Sequence, residues 1–315
     1  MKQLSFASAA YAHKKIVTKR EKFLKEMDKV VPWQRWLDIV EPHYPKAGNG
    51  RPPMPMESML RIYCLQQWYA LSDPGAEEAL YDIECMRNFA KLELGEDALP
   101  DETTILNFRR LIEAHQLSDA LFSDVNDYLE EQGITISRGS MVDATIIHAP
   151  SSTKNTDKGR DPEMHSTRKG NQYYFGMKVH IGTDVNSNVI HSATVTSANE
   201  ADINELPHLL RETDQVVFAD AGYASDSYKR GARALGMSWK VNDKRKPKKD
   251  MSASQRKQNR KNSSIRARVE HCFRVMKCQF AYKKTRYKGL EKNRVQILSL
   301  LSLTNLYLQR EYLMG

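Results

Sequence analysis

The amino-acid sequence predicts two structural classes in one chain: an all-helical first part, then an α/β part built on a mixed sheet. Three observations carry this. Up to residue 132, apolar side chains recur at three- and four-residue steps, the helical period. From residue 141, past Gly133, the apolar residues come instead in short continuous or alternating runs, the signature of strands. The later strand-like runs alternate with helical patterns, which implies parallel pairing through right-handed crossovers. With 315 residues, 40% of them apolar, the chain is long enough to bury a core as one large or two modest domains. We place a helical region at 1–135 and an α/β region at 136–315.

Helical spacing covers 16–28 and 33–40; Pro32 stands where a helix can begin, and Pro42 and Pro45 stop the second one. PKAGNGRPPMP (45–55) is a loop by its Gly and Pro content. MESMLRIYCLQQWYAL (56–71) is an amphipathic helix closed by Ser72-Asp73-Pro74-Gly75, and further helices fit 76–91, 102–115 and 118–132, the last two separated near Gln116. MVDATII (141–147), YYFGMKVHIGTD (173–184) and NVIHSATVT (188–196) read as three strands of a meander joined by short turns. A helix at 201–212, a strand at 215–220, a helix at 225–235 and a short strand at 238–241 follow. A basic polar tract covers 242–263, and helices near 264–280 and 291–309 close the chain. Three strands, then helix, strand, helix, strand and closing helices is the order of an RNase-H-like fold.

The formal net charge is +9, and it is not spread evenly. Lys240 to Lys288 holds 18 Lys and Arg against three acids, a local +15 that leaves the remainder at −6. A solvated linker explains polarity but not charge of one sign, so this stretch points to a polyanion, and nucleic acid is the commonest one. No run of 18 apolar residues suggests a membrane span and no apolar run near the start suggests a signal segment, which favours a cytoplasmic protein. Cys64, Cys85, Cys272 and Cys278 form no CxxC pair and read as reduced thiols.

Three acids stand out. Asp143 interrupts an apolar strand, where a carboxylate costs several kcal/mol unless it is paired or binds a metal. Asp220 ends a second apolar strand and precedes Ala221-Gly222-Tyr223, where Gly222 suits a sharp turn. Glu270 lies on a helix whose apolar stripe is Ile265, Val269, Cys272 or Phe273, Met276 and Phe280; Arg266, Glu270, Arg274 and Lys277 share a neighbouring face. Taken singly, Asp220 is a turn former and Glu270 one member of an exposed ion-pair ladder. Together, carboxylates from three elements form an all-oxygen set suited to hard divalent cations and two-metal phosphoryl transfer. His148, His180 and His271 lie near them in sequence and read as packing groups, as does Trp239.

At this point the chain resembles the transposases of the insertion sequence 5 family, within the DDE group. The resemblance rests on PWQRW, EPHYPKAGNGRPP, MLRIYCLQQWYALSDPGAEEALYDI and LPDETTILNFRRLIE in the first half. In the second half it rests on MVDATIIHAPSSTKN, RDPEMHSTRKGNQYYFGMKVHIG, ADAGY and SIRARVEHCFRVMKCQFAYKKTRYKGLEKN. It implies an RNase-H-like fold, a catalytic and metal-binding triad of Asp143, Asp220 and Glu270, and two Mg²⁺ ions per site, with Mn²⁺ as the alternative. A related signature of Tyr, Arg, Glu and Lys places Arg266, Glu270 and Lys277, while its Tyr position holds Ser263. The implied reaction frees 3′-OH ends at terminal inverted repeats and joins them to target DNA, and work on two ends requires a homodimer or larger assembly. Candidate contacts to double-stranded DNA are Arg266, Arg268, Arg274, Lys277, Lys244 and Arg245 beside the triad, with Arg61, Arg109 and Arg110 in the helical region.

Overall fold

The computed structural model describes residues 11, 14–49, 52–134, 136–156, 158–244 and 250–315. The helical region comprises α1 (Lys19–Val30), α2 (Trp33–Val40), α3 (Met56–Tyr69), α4 (Asp73–Asp82), α5 (Glu84–Phe89), α6 (Glu102–Ala114) and α7 (Leu117–Glu131). Then come β1 (Gly139–His148), β2 (His165–Lys169), β3 (Gln172–Asp184), β4 (Ile190–Ser197), α8 (Asp202–Leu209), β5 (Val216–Phe218), α9 (Asp226–Ala234) and β6 (Ser238–Trp239). The chain closes with α10 (Ala253–Arg266), α11 (Val269–Arg274), a π turn at Val275–Gln279, and α12 (Leu290–Met314). Among the described residues no helix is long and apolar enough to cross a membrane.

The sheet runs β2-β3-β1-β5-β6, with β4 also paired to β3. β1 is antiparallel to β3 and parallel to β5, and β5 is parallel to β6. An antiparallel meander continued by parallel crossover strands is the RNase-H-like arrangement. Within it, Asp143 sits opposite Ile181 in the middle of the long β1–β3 ladder. Met141 and Ile147 face one buried cluster, while Val142 faces a second, smaller one with Leu206, Leu209, Val217 and Tyr223. Strand alternation thus turns Asp143 to the side covered by the closing helices.

α12 binds the layers together. Its buried Ser299, Ser302 and Thr304 return their hydroxyls to carbonyls one turn back, which lets polar residues lie inside the core. Ser299 also meets the Tyr63 hydroxyl of α3 at 2.8 Å, and Asn305 pairs with both the N–H and the carbonyl of Ile190 at 2.8 Å. The main buried cluster holds Leu24 to Leu129 of the helical region, Met141 to Ile190 of the sheet, and Val269 to Leu306 of the closing segments.

Four sequence expectations are corrected. The first two strands are joined by an irregular segment and the hairpin strand β2, not by a short turn. Ser72–Gly75 does not end a helix: Ser72 accepts the Gly75 N–H and starts α4, with Pro74 in the first turn where its missing N–H is harmless. The helix expected at 76–91 breaks at Ile83, which takes an extended backbone. The helix expected at 264–280 begins earlier and is divided: α10, started by a capping box between Ser252 and Gln255, takes up half of the basic polar tract, and α11 and the π turn follow it.

Candidate active site

Asp143, on β1, is buried, and its Oδ1 accepts the neighbouring Ala144 N–H at 2.9 Å. Its Oδ2 is held by the guanidinium of Arg266, from the last turn of α10. Burial pushes the Asp143 carboxyl up to about 6; Arg266 and the Ala144 N–H pull it down, while the charges of Glu270 and Asp220 push it further up. The charges of both other acids thus bear on Asp143. Asp220 follows β5, and its Oδ1 accepts the Gly222 N–H at 2.7 Å, a tight Asx turn in which any Cβ on Gly222 would lie 2.8 Å from that same oxygen. Glu270 opens α11 with an exposed side chain, 3.7 Å from the Arg266 Nη1 that also serves Asp143.

The wheel read from the sequence holds for α11 and the π turn. Val269, Cys272, Phe273, Met276 and Phe280 are buried, with Ile265 packed against them. This seam presses the segment on β1 and leaves Glu270 and Arg274 outside. Lys277 reaches back to β1, its Nζ donating to Thr145 Oγ1 and Ile146 O at 2.7 Å. Burial lowers its pKa, and the charge of Lys169 lowers it further.

The candidate DNA contacts divide. Arg274 is exposed one turn after Glu270, Lys244 is exposed, and Arg110 is exposed on α6. Arg245 lies outside the described residues. Arg268 is committed to the protein, donating to the carbonyls of Val185 and Asn186 at 2.6 and 2.7 Å and bracing the β3–β4 turn. Arg109 is also corrected: it is buried, bound to Asp73 and Glu113 at 2.9 and 2.6 Å, and stacked on Tyr287. Arg61 is likewise inside, held by Asp28 and Glu57 against Trp33. Ser263, in the signature's Tyr position, accepts a hydrogen bond from Asn242. α10 adds a face the sequence offered only as charge: Arg256, Lys257, Arg260 and Lys261 are exposed on a helix without an acid.

His148 is exposed and stacks on Tyr174; His180 is buried and bonds Thr196 at 2.8 Å. Trp239 packs partly on the smaller cluster and partly lines an open cleft of about 440 Å³ with Lys229, Asn242 and Lys244. Tyr223, the last residue of the ADAGY motif, has no signal in the sequence beyond that motif. Its hydroxyl is buried without a hydrogen-bond partner among the described residues, and the charges of Asp202, Asp143 and Asp220 all bear on it.

As a donor set, Asp143, Asp220 and Glu270 fit a hard divalent cation: all offer oxygen, and buried Asp143 lacks enough positive compensation to bring its pKa to normal. Their spacing is looser than a coordination shell. Among the described residues no three His, Cys, Asp or Glu side chains are grouped closely enough to hold a metal. The Arg266 guanidinium lies on Asp143 in the place a cation needs.

A helical region followed by a mixed sheet of this topology defines an RNase-H-like domain. Residues 135–306 match the family model described as "Transposase DDE domain", and residues 12–111 match "Transposase domain (DUF772)". The first match spans more than half of the chain, so the protein belongs to the DDE transposases. Among solved structures, a piggyBac transposase synaptic complex with hairpin DNA is similar at a TM-score of 0.47 and 8% identity, over 92% of this chain and 73% of that one.

Proposed function

We propose that this DDE transposase cuts DNA at the terminal inverted repeats of an insertion sequence and joins the freed 3′ ends to target DNA, with Asp143, Asp220 and Glu270 as its catalytic carboxylates. The observation that supports the assignment is the placement of Asp143: a buried carboxylate in the central strand of the family-matched domain, whose charge is felt by two further acids on separate elements. These three would hold two Mg²⁺ ions, or Mn²⁺, which when bound activate the attacking oxygen and stabilise the leaving one. In the first step water attacks the phosphodiester at the element end. The bond to O3′ breaks and the 3′-OH is released. In the second step that 3′-OH loses its proton to solvent and attacks a target phosphodiester, a new P–O bond forms, and the target's O3′ leaves.

The chain's own residues supply position and charge. Burial of Asp143 keeps water from screening its charge. The exposed cations Arg274, Lys244 and those of α10 offer contacts to phosphates, and Arg266 is in reach of both Asp143 and Glu270. Two ends in one reaction call for a homodimer or larger assembly.

The test is incubation of purified protein with a labelled end duplex and a target plasmid, in Mg²⁺ and in EDTA, beside Asp143→Asn, Asp220→Asn and Glu270→Gln. The expected result is metal-dependent nicking and a joined product, both reduced to background in each variant. Tight binding without cutting in any metal overturns the reading in favour of a DNA-binding protein. Cutting without joined product overturns it in favour of a nuclease.

A further inference from the structure

The outer end of the β2–β3 hairpin, β2 with Gln172 to Tyr174 of β3, contributes little to the core, whereas the rest of β3 is a buried strand of the sheet. None of the five residues of β2 is buried, and Tyr173 at the start of β3 is 75% exposed. A projecting two-stranded end with so little buried surface is marginal on its own, so its retention needs another account. Charge supplies one. From Met164 to Thr183 the chain has no acid. The two acids just before it are turned away, Asp161 and Glu163 accepting the N–H groups of Gly289 and Leu290 at 2.7 Å near the start of α12. No acid of the described residues pairs with Arg168 or Lys169 in an ion pair at the hairpin end; the Arg168 guanidinium lies near the Tyr173 ring and braces the turn through Gly170 O at 3.0 Å and Asn171 Oδ1 at 3.4 Å, with its charge facing solvent.

Other segments bring the same sign to this place. His148, ending β1, stacks on Tyr174 of the hairpin and is bridged on its other side by the chain at Lys283 to Thr285, where Lys283 and Lys284 are exposed. The charge of Lys169 also reaches Lys277 beside the catalytic strand. Gly176 makes the junction: a Cβ there would lie 2.1 Å from Ile147 O, so only glycine lets β3 run past the end of β1 at this contact.

We propose that the β2–β3 hairpin is a DNA-contacting arm, a basic ribbon that grips the phosphate backbone of the bound duplex next to the catalytic strand. A two-stranded ribbon is of a size that a DNA groove admits. Its exposed Ser166, Arg168, Lys169, Asn171, Gln172 and Tyr173 are the side-chain types that bind phosphates. Lysines on an edge strand also discourage edge pairing, but that role does not call for the Tyr173 ring or for the matching charge of Lys283 and Lys284. The inference rests on the transposase reading above.

The test compares wild type with an Arg168→Ala, Lys169→Ala, Tyr173→Ala triple variant, titrating a labelled end duplex over a series of NaCl concentrations. The expected result is a loss of affinity of at least about tenfold and a salt slope shallower by about two, the release expected for two phosphate contacts. Melting temperature and subunit number stay unchanged, and Arg168→Lys with Lys169→Arg keeps the wild-type slope. Equal affinity and equal slope in the triple variant, with wild type binding normally, overturn the hairpin proposal alone. A variant that falls apart into smaller assemblies overturns it in favour of docking on a second copy. A wild-type protein that binds no duplex overturns both this inference and the reading beneath it.

Discussion

Burial lifts the Asp143 carboxyl to about 6, although Arg266 pulls against it. An unfolded chain releases the same proton near 3.9. Between roughly pH 4 and 6 the folded protein therefore keeps a proton that the unfolded chain has lost, and this residue makes stability fall as pH rises through that window. Metal-free Asp143→Asn, which cannot titrate there, is expected to gain about 2 to 3 kcal/mol on wild type between pH 4 and pH 7, measured by urea unfolding in EDTA. A difference that does not move with pH would sink the argument. The same proton competes with a cation, so Mn²⁺ affinity is expected to drop about tenfold per pH unit below 6, measured by calorimetry. That Asp143 would be a buried acid was legible in the sequence because a carboxylate inside an apolar run is costly unless it is paired. Its partner Arg266 was not, because a helical wheel gives the face a side chain occupies but not what that face meets.

Elements show where charge was misread. Arg109 and Arg110 are adjacent on α6, yet one is inside and the other outside. Arg109 ties α6 to Asp73 at the start of α4 and to Tyr287 ahead of α12. Removing one member of a buried ion pair leaves the others uncompensated, so Arg109→Ala is expected to cost about 3 to 5 kcal/mol while DNA affinity per folded molecule is unchanged. Thermal melts and duplex titrations separate the two effects; wild-type stability with weakened binding would restore Arg109 as a DNA contact. β2 escaped the sequence reading because it has neither alternation nor an apolar run, being exposed on both faces. α10 escaped because it has no apolar stripe. Its one readable start signal, Ser252 followed three residues later by Gln255, was hidden in a stretch judged by charge alone.

Over the whole molecule, the change from helical to strand period near residue 135 is real, and the RNase-H-like order was readable from it. That the two regions share one core was not, because periodicity reports which face is apolar but not its partner. Leu24, Tyr63 and Val125 belong to the same buried cluster as Ile181, Met276 and Leu301. One shared core predicts one cooperative transition. Trp fluorescence of a Trp239→Phe variant, whose remaining Trp33, Trp36 and Trp68 all lie before residue 135, is expected to trace the same denaturation midpoint as thiol exposure at buried Cys272 in the sheet region. Separate midpoints would mean that the regions unfold independently.

Of the four cysteines, Cys64, Cys85 and Cys272 are buried and Cys278 is exposed, immediately after Lys277 in the π turn. The native protein thus offers a single attachment point for a maleimide dye, without any engineered residue. A fluorophore placed there stands next to a lysine anchored to the catalytic strand, and its anisotropy and quenching can follow DNA arrival in real time. With a donor on one copy and an acceptor on another, energy transfer between the two dyes tests whether two copies come together on DNA, as the proposed reaction requires.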